Sequence, residues 1–280
     1  MSVKIIIDST CDLLPETKAR FSVVPLTVRF GTQEYRDGVD IDHREFYRML
    51  TTGQEMPTTS QASPADFEQV YCDCTADGSQ AVVLCVSGKL SGTYQSAVIA
   101  AQDYEGQVFV VDSQTVAIGT GILAELALHL RDSGMSAADI ASRLEEELAR
   151  VRVIALLDTL EYLKRGGRIS KTAAFAGSLL NIKPVACVDD GEIKLLGKAR
   201  GSKMGNNLLV QEIDKAGGID FTKPVLLGYS GISDALLQKY IEDSRHIWEG
   251  NLEEVRYTTV GSVIGTHAGP GAVVVAFFKN

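Results

Sequence analysis

Ala81-Val82-Val83-Leu84-Cys85-Val86 is an unbroken apolar run that gives way to the polar loop Ser87-Gly88-Lys89-Leu90-Ser91-Gly92-Thr93. Apolar residues with no polar alternation suit a strand covered on both faces, as in a parallel sheet. Tyr94, Ala97, Val98 and Ala101 then recur at helical spacing and complete a strand–loop–helix unit. The pattern repeats outward. Val3 to Ile7 and Gln107 to Val111 are further buried strands, and Val23 to Phe30 is a strand candidate ending on a hairpin turn at Gly31-Thr32-Gln33-Glu34. Asp42 with Glu45 starts a helix that turns Phe46, Met49 and Leu50 inward. Ser63-Pro64 with Asp66 starts another, carrying Phe67, Val70, Tyr71 and Cys74. Ile118, Ile122, Leu126 and Leu130 mark a further helix, and Ser136 with Asp139 opens one with Ile140, Leu144 and Leu148 inward. This alternation predicts a mostly parallel sheet flanked by helices over residues 1–150.

Residues 151–280 read differently. Val151 to Leu157 is a strand, followed by an irregular Arg/Gly segment and a small-residue helix near Ala173 to Leu180. Ile182 to Val188 and Glu192 to Gly197 pair across Asp189-Asp190-Gly191, a hairpin turn signal. Helix Ser202 to Ala216, strand Val225 to Tyr229, helix Ser233 to Ile241, strand Leu252 to Tyr257 and strand Gly271 to Phe278 complete the chain. A hairpin among alternating elements predicts a mixed-sheet domain. The expectation is an α/β fold of two domains, 1–150 and 151–280.

The 280 residues carry 27 Lys and Arg against 36 Asp and Glu, a net charge of −9, and 45% are hydrophobic. An acidic chain with no Lys/Arg-rich run lacks the footprint of a nucleic-acid binder. Its apolar runs fall far short of the ~20 residues that span a bilayer. Asp8 stands where a signal peptide would continue its apolar core. The five cysteines are odd in number and show neither a disulfide framework nor zinc spacing. A cytoplasmic protein without a metal is expected.

Several enzyme signatures fail on inspection. A P-loop ending at Gly88-Lys89 would need Gly at Val83 and Ser or Thr at Leu90. Gly119-Thr120-Gly121-Ile122-Leu123-Ala124 has the letters of a dinucleotide fingerprint, but it starts well past the strand end and position 141 is Ala where an acid belongs; close helix packing is the better reading of its glycines. Gly228-Tyr229-Ser230-Gly231-Ile232 resembles a nucleophile elbow but ends on Ile232.

Three polar loops remain. Pro57 to Ser63 crowds hydroxyls ahead of a capped helix, and Leu90-Ser91-Gly92-Thr93 joins a strand to a helix start suited to a small anion. In Gly265-Thr266-His267-Ala268-Gly269-Pro270-Gly271, glycines and a proline hold a histidine before the last strand. Read singly each is a cap or turn; together they suggest a shared site for an anionic ligand. Arg165-Gly166-Gly167-Arg168 and Lys198 to Lys203 add local positive charge, either solvated or suited to a phosphorylated ligand or acidic partner.

These fragments resemble the DegV family, the fatty-acid-binding component of bacterial fatty acid kinase. The resemblance runs end to end: Asp8-Ser9-Thr10-Cys11-Asp12-Leu13, Thr59-Ser60-Gln61, Leu90 to Tyr94, Val111-Asp112-Ser113, Leu160 to Ser170, Ile182-Lys183-Pro184 and His267 to Gly271. Ala62 departs from it, standing where many members carry proline. The resemblance implies two α/β domains with a long-chain fatty acid in a tunnel between them and no cofactor. It implies that a separate ATP-dependent kinase subunit converts the carboxylate to acyl phosphate for phospholipid synthesis. Thr59, Ser60, Ser91, the N–H of Gly92 and His267 would hold the carboxylate, with Arg168 and Arg200 at kinase docking or the acyl phosphate. No transmembrane segment is implied, though transient contact with a membrane surface is compatible with the reading. The rival is a self-sufficient hydrolase of acyl substrates using Ser230 or Ser91 with His267. A regulatory scaffold without a small ligand is a third reading.

Overall fold

The computed structural model describes residues 2–53, 55–169 and 181–280. In β1 (Val3–Asp8), Ile5 and Ile7 point into one core while Ile6 points into another, and all three are buried. That two-residue alternation between two apolar layers is why the strand reads as continuously apolar. Each such side chain contributes roughly 1.5–3 kcal/mol on burial. The chain continues through α1 (Pro15–Lys18), β2 (Ser22–Val24), β3 (Thr27–Phe30), β4 (Gln33–Arg36), α2 (His43–Thr52), β5 (Thr58–Ser60), α3 (Pro64–Thr75) and β6 (Gln80–Cys85). It then runs through α4 (Thr93–Ala101), β7 (Val108–Asp112), α5 (Ile118–Asp132) and α6 (Ala137–Glu147). Strands β2-β1-β6-β7 form an all-parallel sheet in that order. The caps form as the sequence predicts: Asp42 accepts from the Glu45 N–H, and Ser63 and Asp66 form a reciprocal capping box, a contribution of about 1 kcal/mol.

Two local expectations change in this half. The strand expected over Val23 to Phe30 is two strands, because Pro25 lacks the N–H that would continue a ladder. β2 joins the parallel sheet, whereas β3 forms a small antiparallel sheet, β4-β3-β5, with Phe30 paired to Gln33 across Gly31-Thr32. Helix α4 buries Thr93, Ser96, Ala97 and Ala100 rather than the stripe through Tyr94, Val98 and Ala101. Small side chains occupy the contact with α3, where the Tyr71 hydroxyl donates to the Ala97 carbonyl at 3.1 Å.

The second half begins with β8 (Val151–Leu156), α7 (Glu161–Arg165), β9 (Ile182–Asp189), β10 (Glu192–Arg200), α8 (Gly201–Lys215) and β11 (Leu226–Tyr229). It ends with α9 (Ala235–Asp243), α10 (Arg245–Trp248), β12 (Tyr257–Thr259), α11 (Ser262–Ala268) and β13 (Val273–Phe278). The sheet order is β10-β9-β8-β13-β11-β12, parallel only at β11–β12, so the sheet is mixed. Asp189 pairs with Glu192 across Asp190-Gly191, both at positive φ (50° and 73°), the turn the Asp-Gly signal predicts. The strand expected over Leu252 to Tyr257 instead starts at Tyr257. Glu253-Glu254 offers no apolar face, and Arg256 makes a bidentate pair with the buried Glu125 carboxylate at 3.1 and 2.7 Å. The helix expected near Ala173 to Leu180 lies outside the described residues.

The six-stranded sheet also has two apolar faces. Ile154, Leu156, Val273, Val275 and Phe277 pack with Leu209, Ile213, Leu237 and Tyr240 of α8 and α9. Val153, Ala186, Val188, Val274 and Phe278 join the core that holds Ile5, Ile7 and Ile122. Helix α5 contacts β1, β8, β11 and β13. A Cβ on Gly119 would overlap Val153, and one on Gly121 the Asp12 carbonyl, so these glycines serve close packing as the sequence suggests.

Candidate functional site

In the parallel sheet β1 lies between β2 and β6, so the chain leaves β1 to one side and returns to build the other. A crevice opens beyond the carboxyl ends of strands at such a reversal. The Asp8 carboxylate fixes its base, accepting the Val86 N–H at 2.7 Å, the Thr10 N–H at 2.9 Å and the Thr10 hydroxyl at 2.5 Å. Burial raises the Asp8 pKa against these hydrogen bonds, which favour the ionised form.

Above this base lies a cavity of about 400 Å³, within the ~300–1,000 Å³ typical of small-molecule sites. Thr10, Val86, Leu90, Ser91, Gly92, Val116 and Ala117 reach it from the parallel strand ends, Thr59 and Ser60 from β5 of the small sheet, and Leu26 and Gln61 from the residues flanking β3 and β5. The six-stranded sheet supplies Val153, Ala155, Ala186, Val188 and Val274. Val153 pairs with Val188, Ala155 with Ala186, and Val274 with Ala155, so these side chains share one face. Val263, Ile264, His267 and Ala268 of α11 close the wall.

The polar residues form one linked group. His267 Nε2 lies 3.0 Å from the Thr59 hydroxyl, joining positions 208 apart in sequence. Burial, and secondarily the Arg168 charge, lowers the His267 pKa to about 4, so the ring is neutral at pH 7. Its Nδ1 is buried with no hydrogen-bond partner among the described residues, and Gly166 stands against it without a Cβ. The Arg168 guanidinium donates to the Leu90 carbonyl at 3.1 Å and the Gly166 carbonyl at 2.6 Å, tying the Ser91 loop to the α7 exit. Ser91 and Thr93 share a hydroxyl–hydroxyl bond of 2.8 Å, and Gly92 is the N-cap of α4. A neutral histidine, hydroxyls and a helix N-terminus, with one arginine close by, suit a carboxylate better than a cation.

Thr59, Ser60, Ser91, Gly92, His267 and Arg168 therefore line one cavity. Arg200 does not: it is exposed at the end of β10 and is not among the lining residues. His267, expected in a glycine-fixed loop, sits instead in the last turn of α11, and Gly265 allows that helix to approach Phe46 and Tyr47. The sequence reading left Thr10 and Gln61 without a role. Gln61 lies against Gly92 and donates to the Ser96 hydroxyl at 3.0 Å; its place in Thr59-Ser60-Gln61 was the available signal. The serines of the hydrolase reading are engaged elsewhere. Ser230 Oγ donates to the Gly269 carbonyl at 2.6 Å and accepts the Ala272 N–H at 2.8 Å, fixing the entry to β13. Neither Ser230 nor Ser91 is hydrogen-bonded to His267, as a nucleophile and base would be. Among the described residues no group of three His, Cys, Asp or Glu side chains could hold a metal ion, and no helix is long and apolar enough to cross a membrane.

Comparison with known proteins gives a consistent result. The model of the DegV family, described as a family of uncharacterised proteins, matches residues 2–280. A DegV domain-containing protein of Caldanaerobacter subterraneus is 37% identical over 281 residues, spanning 98% of each chain. Among solved structures, a fatty-acid-binding DegV family protein from Thermus thermophilus superposes with a TM-score of 0.89 at 35% identity, over 99% of this chain and 100% of that one. DegV from Bacillus subtilis, a fatty acid binding protein, superposes with a TM-score of 0.84 at 27% identity over the whole of both chains.

Proposed function

The chain belongs to the DegV family, and from that premise we propose that it buries a long-chain fatty acid and presents the carboxylate to a separate ATP-dependent kinase subunit, which converts it to acyl phosphate. The observation that carries this reading is the Thr59–His267 hydrogen bond on the wall of a cavity floored by an apolar sheet face. Thr59, Ser60, Ser91, the Gly92 N–H and His267 hold the carboxylate, and the acyl chain lies along Val153, Ala155, Ala186 and Val274. Residues 1–150 and 151–280 act as two domains with the tunnel between them. The protein works in the cytoplasm, without a cofactor of its own. Arg168, already at the cavity, contacts the acyl phosphate, and exposed Arg200 meets the kinase.

Burying roughly fourteen methylenes at ~0.8 kcal/mol each gives on the order of 11 kcal/mol before association costs. Each hydrogen bond to a charged head group adds about 1.5–3 kcal/mol. The tail therefore dominates affinity and the head-group residues set orientation. Neutral donors leave the carboxylate more nucleophilic than a bidentate arginine would.

Native mass spectrometry of gently purified protein tests the first step: one fatty acid per chain is expected, and persistent emptiness would support a scaffold. Ser91→Ala and His267→Ala are expected to weaken phosphotransfer with the cognate kinase more than binding. Loss of all lipid from a folded variant would overturn that division. Arg168→Glu and Arg200→Glu should abolish acyl phosphate formation with lipid still bound. Turnover of ester or thioester substrates without a partner would favour the hydrolase.

A further inference from the structure

The six-stranded sheet is tied to the first half of the chain at both of its edges. At the β12 edge the ties lie in and just after the strand. The Thr258 hydroxyl donates to the Leu13 carbonyl at 3.0 Å, the Tyr47 hydroxyl to the Val260 carbonyl at 2.9 Å, and the Gly261 N–H to Asp12 Oδ1 at 2.9 Å. At the β10 edge the tip of the β9–β10 hairpin makes the connection. The Ser87 hydroxyl donates to the Gly191 carbonyl at 2.7 Å, and Lys89 pairs with Asp190 at 2.7 Å. The ion pair is exposed and contributes little. Ser87 is fully buried, and a hydrogen bond shielded from water is the stronger tie.

Each polar group of Ser87 has a partner. Its N–H donates to the Thr115 carbonyl at 3.0 Å, and its carbonyl accepts the Leu90 and Ser91 N–H groups at 3.0 and 3.1 Å. The main chain of Ser87 thus shapes the loop that carries Ser91 and Gly92 to the cavity, while its side chain reaches the hairpin. On the hairpin side, Val188 pairs with Ile193, and both line the same cavity. Asp189 and Glu192 form the next pair, and Asp190-Gly191 is the turn beyond it. Gly191 has φ 73°, and a Cβ there would stand 2.6 Å from Ser87 Oγ. Backbone and contact both call for glycine at this position.

We propose that Ser87 is a positioning residue for the head group: through its bond to Gly191 it holds the Ser91–Gly92 loop where a carboxylate needs it. The same bond links that loop to the hairpin wall of the cavity. The proposal rests on the acyl-binding reading and adds to it two residues that do not line the cavity. A loop held at its root keeps its donors preorganised, so the ligand does not bear the cost of ordering them. With the bond broken, the Ser91 hydroxyl and the Gly92 N–H are still present but no longer aligned. The loss then falls on the head group, because Val153, Ala155 and Val274 stand on β8 and β13 in the middle of the sheet.

The test compares hexadecanoic acid with hexadecan-1-ol, which share a tail and differ in head group, by displacement of a fluorescent fatty acid from the delipidated full chain. The ratio of the two affinities reports the head group alone. Ser87→Ala is expected to lower the preference for the acid at least fivefold, with affinity for the alcohol kept within about twofold. Gly191→Ala pushes Ser87 Oγ aside from the other partner of the bond and should give the same loss. The double variant should lose no more than either alone. The amide resonances of Ser91 and Gly92 should also move in Gly191→Ala, although the substitution lies on the hairpin. Equal weakening of acid and alcohol, an unchanged ratio, or additive losses would overturn the proposal. If Ser87→Ala does not fold, Gly191→Ala decides, since it leaves Ser87 in place. Wild-type protein that binds neither probe would instead overturn the acyl-binding reading beneath it.

Discussion

The two large sheets meet the cavity in different ways, the parallel one with the ends of its strands and the mixed one with a face. Where strands end, N–H and C=O groups leave the ladder and need other partners. Asp8 serves Thr10 and Val86, and Asp112 serves the Gly88 and Gln114 N–H groups at 3.1 and 3.0 Å. Hydroxyls and carboxylates therefore gather there. Where strands run past, the ladder occupies the backbone and only side chains face the cavity, here Val153, Ala155, Ala186 and Val274. One cavity becomes polar on one side and apolar on another because of which part of a sheet it meets.

The sharpest way to break this division is to fill the apolar side alone. Ala155→Phe places a ring over the Ala155–Ala186 pair. Displacing about five methylenes at ~0.8 kcal/mol each costs about 4 kcal/mol, roughly a thousandfold in fatty-acid affinity. The melting temperature should change little, because the ring enters space rather than packed core. A fluorescent fatty-acid titration beside a thermal melt checks both; unchanged affinity would mean the sheet face does not hold the chain.

That contrast also explains what the sequence made legible. The caps at Asp42, Ser63 and Ser136, the Asp190-Gly191 turn and the buried strands are local signals, and they appear where expected. The hydroxyl loops at Thr59 and Ser91 stood out because polar residues concentrate at strand ends. The helical setting of His267 was hidden, since Gly265, Gly269 and Pro270 read locally as a turn, whereas Gly265 answers to Phe46 and Tyr47 more than 200 positions away. Ala155 and Ala186 gave no signal, because a small residue in a strand looks alike whether it faces a ligand or a neighbouring helix. That Arg200 lies outside the cavity was hidden for a related reason: it follows from the place of β10 at the sheet edge.

The polar side can be probed by pH. His267 is held neutral, its pKa lowered to about 4 from 6.5. Between those values the unfolded chain takes up a proton that the folded chain refuses, so this residue makes stability rise with pH. At 1.36 kcal/mol per pKa unit the effect is on the order of 3 kcal/mol. Asp12, raised from 3.8 to about 8, acts oppositely: the folded chain keeps a proton the unfolded chain has lost, so stability falls as pH rises through that range. The two slopes oppose one another between about pH 4 and 6.5. His267→Gln should therefore make stability rise less with pH across that window than in the wild type, measured by denaturant unfolding at several pH values. Identical wild-type and variant profiles would show that the ring is not held neutral.

Two glycines on the polar side distinguish rigid from yielding neighbours. A Cβ at Gly166 would overlap His267 Nδ1 and come within 3.2 Å of the Tyr162 carbonyl. The imidazole is held by Thr59 and the carbonyl belongs to helix α7, so neither moves aside easily. At Gly92 the Cβ would meet the amide end of Gln61, which can swing away at the loss of its hydrogen bond to Ser96. Gly92 has φ −72° and ψ 1°, open to any residue. Gly166→Ala is expected to cost about 2 kcal/mol by overpacking, and Gly92→Ala about 1 kcal/mol or less, the value of one hydrogen bond. Chemical unfolding ranks the two. The reverse order would mean that Gln61, rather than His267, is the fixed member of the head-group cluster.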